Sequence, residues 1–404
     1  KQRWKNSKAP RTICLDAAIE EFTGTESPGH LGCTTPGKDN IMRTLKKLTI
    51  KNFKSIREQT IEPGLLNIFI GGNGVGKSNL IEVFRFLREI VNQNLGGYTA
   101  QKGGADKLLY FGRKKSSQME ISMEFGEGDK SNAYDIKIQG ADDDSLVIWS
   151  EKVFYHEKKT YKNPWDKTLS AYAKESKLSQ TNHICARQVM GDLDSYRVYH
   201  FHDTSDTAAV KATCDIQDNR FLRPQAENLA AFLYWLQEKK PDHFQNIVET
   251  VRQVAPFFDA FVLAPSKLNE SKIMLEWREK GSDAYFNASS FSDGTLRFIC
   301  LATLLLQPQY PAVILLDEPE LGLHPAAITL LAELISSAAT RTQVIVSTQS
   351  VTLVNQFEPE HVWSVDREDG QSVFRQLSRT DMSAWLDDYS LGELWEKNVI
   401  GARP

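Results

Sequence analysis

Residues Met42-Arg-Thr-Leu-Lys-Lys-Leu-Thr-Ile-Lys-Asn-Phe-Lys-Ser-Ile56 alternate apolar and polar positions, which predicts a half-buried strand. A second strand, Leu65–Ile70, runs into a glycine-rich turn. The stripe Leu80, Ile81, Phe84, Leu87, Ile90 and Val91 then predicts a helix that ends at Gly96-Gly97. From Gln118 to about Tyr161 the alternating segments MEISMEF, AYDIKIQG and SLVIWSEKVFYH, split by Gly, Asp and Ser turns, predict an antiparallel meander. Residues 162–195 carry no legible period. A strand over Tyr196–Phe201 follows, then helices over Asn228–Glu238 and Pro241–Val254 and a hairpin over Ile273–Asn287. The last third alternates: a helix from Thr295, strand Val313–Leu316, helix Ala326–Ala338 and strand Gln343–Ser347. That alternation is the pattern of parallel crossover units. There is no internal repeat and no heptad run long enough for a coiled-coil arm.

Residues 1–41 differ, with Pro10, Pro28, Pro36, scattered Gly, Ser and Thr, and one short amphipathic stretch, Leu15–Phe22. They hold no apolar signal-peptide core. The folded unit is expected to start near Met42, with the preceding segment a tail, a tag or an upstream extension; a docking arm is the alternative. Across 404 residues, 41% apolar and 25% charged content supports a sizeable core. The net charge of −4 excludes a chain-wide attraction to nucleic acid or anionic lipid, so such binding would need a local basic patch. Apolar runs such as Ala312–Leu316 have core-strand length, so no membrane span is expected. The scattered Cys14, Cys33, Cys185, Cys214 and Cys300 form no C-x-x-C pair, which argues against a disulfide framework or zinc site and suits a cytoplasmic setting.

The chemistry begins at Gly71-Gly72-Asn73-Gly74-Val75-Gly76-Lys77-Ser78, a G-x4-G-K-[ST] motif between a strand and a helix. The glycines let backbone N–H groups converge on phosphate oxygens, and the following helix adds its positive end. Lys77 supplies a mobile charge for the β- and γ-phosphates, and the Ser78 hydroxyl is a candidate magnesium ligand. A second site element is the apolar strand that ends in Asp317-Glu318-Pro319-Glu320. Asp317 is the candidate to hold magnesium through water, and Glu318 the candidate to orient or deprotonate the attacking water. Lys77 and Asp317 lie 240 positions apart, so a large insertion splits the nucleotide fold. Upstream of the acidic strand, Ser290-Phe-Ser-Asp-Gly-Thr-Leu-Arg297 opens a helix, and a Ser-x-Gly turn there is itself an anion site. It lies too far along the fold to serve the phosphate that the first loop holds. A second copy of the chain resolves this, each turn closing on the other copy's ATP.

Five ordered motifs now carry a resemblance: NFKSI at Asn52–Ile56, GGNGVGKSN at Gly71–Asn79, FSDGT at Phe291–Thr295, LLDEPELGLHP at Leu315–Pro325 and VIVSTQS at Val344–Ser350. They resemble ABC-type ATPases of the SMC/RecF-like group, and more closely the short OLD-related proteins filed as AAA family ATPases. YHFHDTS at Tyr199–Ser205, ENLAAFL at Glu227–Leu233 and DYSLGELW at Asp388–Trp395 extend it over about 42–400. The resemblance implies an α/β P-loop NTPase head with a mixed sheet, an antiparallel β-meander subdomain and a helical insertion. The expected division is an N-terminal ATPase lobe at 42–161, an insertion at 162–288 and a C-terminal lobe at 289–404. It further implies ATP and Mg2+ as cofactors and an ATP-sandwich homodimer. Ser292, Gly294 and Thr295 would form the trans signature, and Glu320-Leu-Gly-Leu-His324-Pro325 the loop crossing the dimer interface. Two positions depart from the group. Gln349 stands where His is usual, so the switch residue can hydrogen-bond a γ-phosphate or water but carries no charge. Asp293 places a negative charge beside the signature.

Weaker features leave alternatives open. His200 and His202 fall on one strand face and suggest a metal site, but without a further ligand cluster. By resemblance, His202 or Asp203 would instead sense the magnesium–phosphate group, and His200 fits core packing equally well. Arg43, Lys46, Lys47, Lys51 and Lys54 lie within thirteen residues free of acids, with Gly112-Arg-Lys-Lys115 as an extension. They read as a solvated strand face or as a non-specific contact to double-stranded DNA. The roughly 26 residues after Ser378 are expected to be too few for the Toprim nuclease domain of OLD proteins. The combined expectation is an ATP-hydrolysing switch whose dimer engages a separate effector protein, DNA or both, in the manner of DNA-repair or anti-phage systems. The alternative is a non-hydrolysing, nucleotide-bound scaffold or DNA-binding module. A small-molecule P-loop kinase fits least, since it needs neither the signature turn nor the LGLHP loop.

Overall fold

A computed structural model describes residues 43–403; the reading of residues 1–41 as a tail or arm lies outside the described residues. The chain opens with β1 (Thr44–Phe53) and β2 (Ile56–Ile61), crosses to β3 (Leu66–Ile70), then forms α1 (Lys77–Val91), α2 (Leu95–Gln101) and α3 (Ala105–Leu108). Next come β4 (Gln118–Glu127), β5 (Lys130–Gly140), β6 (Leu146–Glu157), β7 (Trp165–Ala173), α4 (Ile184–Asp194) and β8 (Tyr196–Tyr199). The middle holds β9 (Cys214–Asp215), α5 (Leu229–Lys239), α6 (Pro241–Val254), β10 (Phe258–Val262), β11 (Lys272–Ile273), β12 (Glu276–Glu279) and β13 (Tyr285–Asn287). The last part runs through α7 (Asp293–Leu305), β14 (Val313–Asp317), α8 (Pro325–Ala339), β15 (Gln343–Thr348) and α9 (Val351–Val354). It ends with β16 (Val362–Glu368), β17 (Gln371–Gln376), α10 (Arg379–Leu386) and α11 (Leu391–Glu396).

Two six-stranded sheets result. One is the antiparallel meander, in the order β2-β1-β4-β5-β6-β7. The other has the order β17-β16-β3-β15-β14-β8, with β17 antiparallel and the rest parallel. In β3 and β15 every residue is buried, because helices and the meander cover both faces of a parallel sheet. α1 packs on β8, β14 and β15, and the apolar helices α5 to α8 complete the core. Buried Gln343 at the start of β15 stitches the sheets together. Its amide donates to the carbonyls of Leu45 (3.1 Å), Pro63 (3.3 Å) and Gly64 (2.7 Å), and its oxygen accepts from Leu45 N–H at 3.0 Å. A buried amide pays for its place only when its groups are partnered in this way.

Several elements depart from the sequence reading. The strand expected over 42–56 stops at Phe53 and turns through left-handed Lys54 (φ 50°) into β2. α1 ends at Val91, and Gly96-Gly97 sit inside α2, where a Cβ on Gly97 would collide with the Asn94 side chain. The polar run Asn92-Gln93-Asn94, with Gln93 left-handed (φ 59°), supplies the break instead. The hairpin expected over Ile273–Asn287 is β12–β13, while Ile273 pairs with Cys214. Residues 162–195 contain β7 and α4. Among the described residues no helix is long and apolar enough to cross a membrane.

Candidate functional site

Carboxyl ends of parallel strands converge on one place, as the topology requires. β3 runs into the Gly71–Gly76 loop and then α1, whose first residue is Lys77. Asn73, Gly74 and Ser78 are exposed, Val75 and Asn79 half-buried, and Gly71, Gly72, Gly76 and Lys77 buried. Gly76 is left-handed (φ 119°), and a Cβ there would collide with the Ser372 hydroxyl, so only glycine fits. Ser372, on β17, donates to the Val75 carbonyl at 2.5 Å and lies 2.6 Å from the Ser55 hydroxyl. The Asn79 amide donates to Ser55 at 2.7 Å. The chain Asn79–Ser55–Ser372 thereby clamps the loop from both its neighbours.

The Lys77 ammonium donates to the carbonyls of Gly71 (2.5 Å) and Gly72 (3.0 Å). Burial lowers its pKa, and the charges of Glu318, Asp317 and Glu320, in that order, oppose the fall. These carboxylates come from the end of β14. The Ser347 hydroxyl donates to Asp317, and the Gln349 amide donates to Glu318 Oε1. Glu318 is left-handed (φ 43°), an uncommon state for a side chain of its size, and its N–H is held by the Ser347 carbonyl at 2.8 Å. Buried Glu320 accepts from Thr348 Oγ1 (2.5 Å) and Gln349 N–H (3.1 Å), while its Oε2 has no partner. Burial raises the Glu320 pKa. The loop fits a phosphate chain, with a glycine cradle, a buried lysine and a helix N-terminus together. The Ser78 hydroxyl and the Asp317 carboxylate are hard oxygen donors, the kind magnesium takes beside phosphate oxygens.

The signature turn has a buried root and an exposed tip. Phe291 is buried, its ring stacked on Trp277 at 4.3 Å, whereas Ser292 and Asp293 are exposed and Gly294 and Thr295 half-buried. Ser292 caps α7, accepting from Thr295 N–H at 3.2 Å. A Cβ on Gly294 would stand 2.5 Å from the Gly322 carbonyl, so the turn lies directly against the LGLHP loop of its own chain. Among the described residues, no hydrogen bond joins Ser292–Thr295 to Gly71–Asn79.

Two residues that the motifs left in doubt or out of view bind these parts together. His202 Nε2 donates to the Asp317 carbonyl (2.8 Å) and approaches the Glu318 carbonyl (3.2 Å). Its ring lies 4.0 Å from that of His200, but no group of three or more His, Cys, Asp or Glu placed to hold a metal exists among the described residues. Asp203 is exposed and accepts from Ser205. Arg297 of α7 donates to the carbonyls of Phe201 (3.1 Å), His202 (2.8 Å) and Leu321 (2.7 Å). Neither Arg297 nor Ser372 has a signal in the sequence beyond its polar type, because each partner lies far along the chain.

The basic run loses most of its free charge. Lys47 pairs with Glu62 (3.2 Å), Lys51 with Glu58 (2.8 Å), Lys54 with Glu82 and Arg43 with Asp192 (3.5 Å). Lys46 is exposed and forms no ion pair among the described residues. Arg113 pairs with Asp106 and Asp144, leaving Lys114 and Lys115.

The family model described as "AAA domain, putative AbiEii toxin, Type IV TA system" matches residues 66–355. No curated protein matches the chain. Among solved structures it is similar to an Smc head bound to the C-winged helix domain of ScpA, at 16% identity and TM-score 0.58, over 84% of this chain and 99% of that one. A second is the Smc head domain with an extended coiled coil, bound to the C-terminal domain of ScpA, from Pyrococcus furiosus. It shows 17% identity and TM-score 0.54, over 86% of this chain and 99% of that one. A third is the Smc head with a coiled coil and joint from Pyrococcus yayanosii, at 13% identity and TM-score 0.50, with 86% and 99% covered. At these identities the likeness is one of fold: the chain has the α/β fold of these SMC head domains.

Proposed function

We propose, on the premise that the chain belongs to the AAA-domain family whose model spans residues 66–355, that it is an ATP-binding and ATP-hydrolysing head. On this reading it dimerises around ATP and switches a separate effector protein. One observation carries the reading. Buried Lys77 sits in the field of Glu318, Asp317 and Glu320, while the Ser292 tip is exposed and held by its own chain's crossing loop. Half of a phosphate cradle is thus assembled, and the other anion-binding turn faces solvent.

Lys77 and the loop N–H groups bind the β- and γ-phosphates, and Ser78 and Asp317 offer magnesium its protein oxygens. Magnesium, when bound, neutralises phosphate charge. Glu318 orients the attacking water or takes its proton, and Gln349, donating to Glu318, sets that carboxylate's direction. Ser292, Gly294 and Thr295 of a second copy close the site. Catalysis is electrostatic and positional. A cytoplasmic role in anti-phage defence or DNA repair rests on the family likeness. With most of the β1 cations already paired, an effector protein is favoured over duplex DNA as the partner.

The Gln349 contact also favours a second reading, a nucleotide-bound scaffold with negligible turnover, since the amide occupies a carboxylate lone pair that water would need. Phosphate release with and without duplex DNA separates the two. For the main reading, Glu318→Gln retains ATP and accumulates dimer on size exclusion, whereas Lys77→Ala stays monomeric. Equal loss of dimer in both variants overturns the assignment.

A further inference from the structure

A cavity of about 390 Å3 lies between α1, α2, the end of α4 and the edge strand β8, with walls that include Arg85, Arg88, Tyr98, Lys102, Tyr196 and Val198. Its volume falls within the range of small-molecule sites. Its charge is unbalanced. Among the described residues neither Arg85 nor Arg88 forms an ion pair. Of the acids nearby, Glu82 holds Lys54, Lys102 (2.6 Å) and the Tyr98 hydroxyl (2.8 Å), while Glu89 is itself on the cavity wall, accepts from the neutral Asn94 amide at 2.7 Å, and offsets part of the charge of Arg85 and Arg88. Asp218, further out, is taken by Arg223 at 3.0 Å.

A third guanidinium lies close by without lining the cavity. Arg197, on β8, lies over the Phe221 ring (5.0 Å), with Arg223 over the same ring (5.2 Å), and Arg197 donates to the carbonyls of Asp194 and Tyr196. Burial first, and then the charge of Arg88, pull its pKa down. Arg85 and Arg88, one turn apart on α1, outnumber Glu89, the one wall carboxylate, and such an excess is a cost that a fold keeps where an anion is to be received. Planar guanidiniums one turn apart on the α1 wall also suit the oxygens of a phosphate better than a compact lysine would.

We infer that this cavity is a second anion site, distinct from the Gly71–Ser78 loop, in which Arg85 and Arg88 bind the phosphate monoester of a mononucleotide or of a nucleic-acid strand end. The enclosure admits a single nucleotide and not a duplex. The inference does not depend on ATP turnover.

The test uses the full chain carrying Lys77→Ala, so that the first loop does not compete. AMP is titrated by calorimetry, and single-stranded 12-mer DNA with either a 5′-phosphate or a 5′-hydroxyl by fluorescence anisotropy. At least one phosphate monoester probe binds, and adding Arg85→Gln and Arg88→Gln weakens it by about tenfold or more, the loss of a charge-assisted contact. Binding of AMP alone assigns the site to free nucleotide, and binding of the 5′-phosphorylated strand alone to a strand end. Binding of neither, equal binding of the 5′-hydroxyl strand, or unchanged affinity in the glutamine variant overturns the inference. The glutamine variant melts no lower than its parent, because it sheds like-charge repulsion; a clear drop marks the arginines as structural and overturns the inference too.

Discussion

Replacing Arg297 is the sharpest probe of how the site is held. Its guanidinium reaches the carbonyls of Phe201 (3.1 Å), His202 (2.8 Å) and Leu321 (2.7 Å) at once, so one side chain joins the end of β8, the signature helix α7 and the LGLHP loop. Hydrogen bonds from a charged donor contribute about 1.5–3 kcal/mol each in favourable settings. Arg297 is half-buried, and its partners regain water when it goes, so Arg297→Ala is expected to cost about 2–4 kcal/mol in total. Arg297→Lys keeps the charge but serves one carbonyl at most, and is expected to lose more than half of that. In a chain of this size such losses lower the melting temperature by about 3–6 °C for alanine. Melting is read by differential scanning fluorimetry, and phosphate release at saturating ATP is read on the same samples. Turnover falls in both variants by more than in a core variant of equal destabilisation, since the fork holds Leu321, next to Gly322, whose carbonyl lies against the signature turn. If Arg297→Lys matches the parent in both readouts, the three-way tie carries no weight.

Other perturbations test separate parts of the structure. Asp192, buried near Arg43, has its pKa raised by burial from 3.8 to about 6. An acid that keeps its proton in the fold stabilises it fully below pH 3.8 and loses that contribution as pH rises to about 6. The loss is of order 3 kcal/mol. Asp192→Asn therefore gains on the parent as pH rises through that window in urea unfolding, and a gap that does not change with pH refutes the assignment. Ser372→Ala removes the 2.5 Å contact to Val75 and is expected to weaken ATP binding about fivefold, the equivalent of one hydrogen bond, with little change in melting. Unaltered affinity would show the clamp to be idle.

What the sequence made legible follows from where burial is complete or strictly alternating. Leu66–Ile70, Val313–Asp317 and Gln343–Thr348 are covered on both faces or nearly so, and their mainly apolar, β-branched-rich runs announce strands. The meander strands alternate because one face meets the core. β7 escaped notice because it is an edge strand with almost nothing but Ser170 buried, so no period marks it. The pairing of the basic run was not legible for a reason of register: Lys51 faces Glu58 across the hairpin, and the acids that pair with its neighbours come from the residue after β2, from α1 and from α4. The loop motif and the acidic strand end were readable as motifs, since their chemistry is local. The supports were not. Ser372 reaches Val75 across 297 positions and Arg297 reaches Phe201 across 96, and a hydroxyl or guanidinium declares no partner at such range.

The proposed ATP site is divided between two copies of the chain, and mixing inactive subunits tests that division directly. Lys77→Ala disables the loop and leaves the signature, while Ser292→Asp spoils the signature and still caps α7. Each variant alone hydrolyses no ATP. In an equal mixture each mixed dimer holds one intact site, so phosphate release recovers to between about a quarter of the parent rate per chain, if pairing is random, and about a half, if only mixed dimers close. A mixture as silent as its components, or a Ser292→Asp chain with full activity by itself, contradicts the shared site.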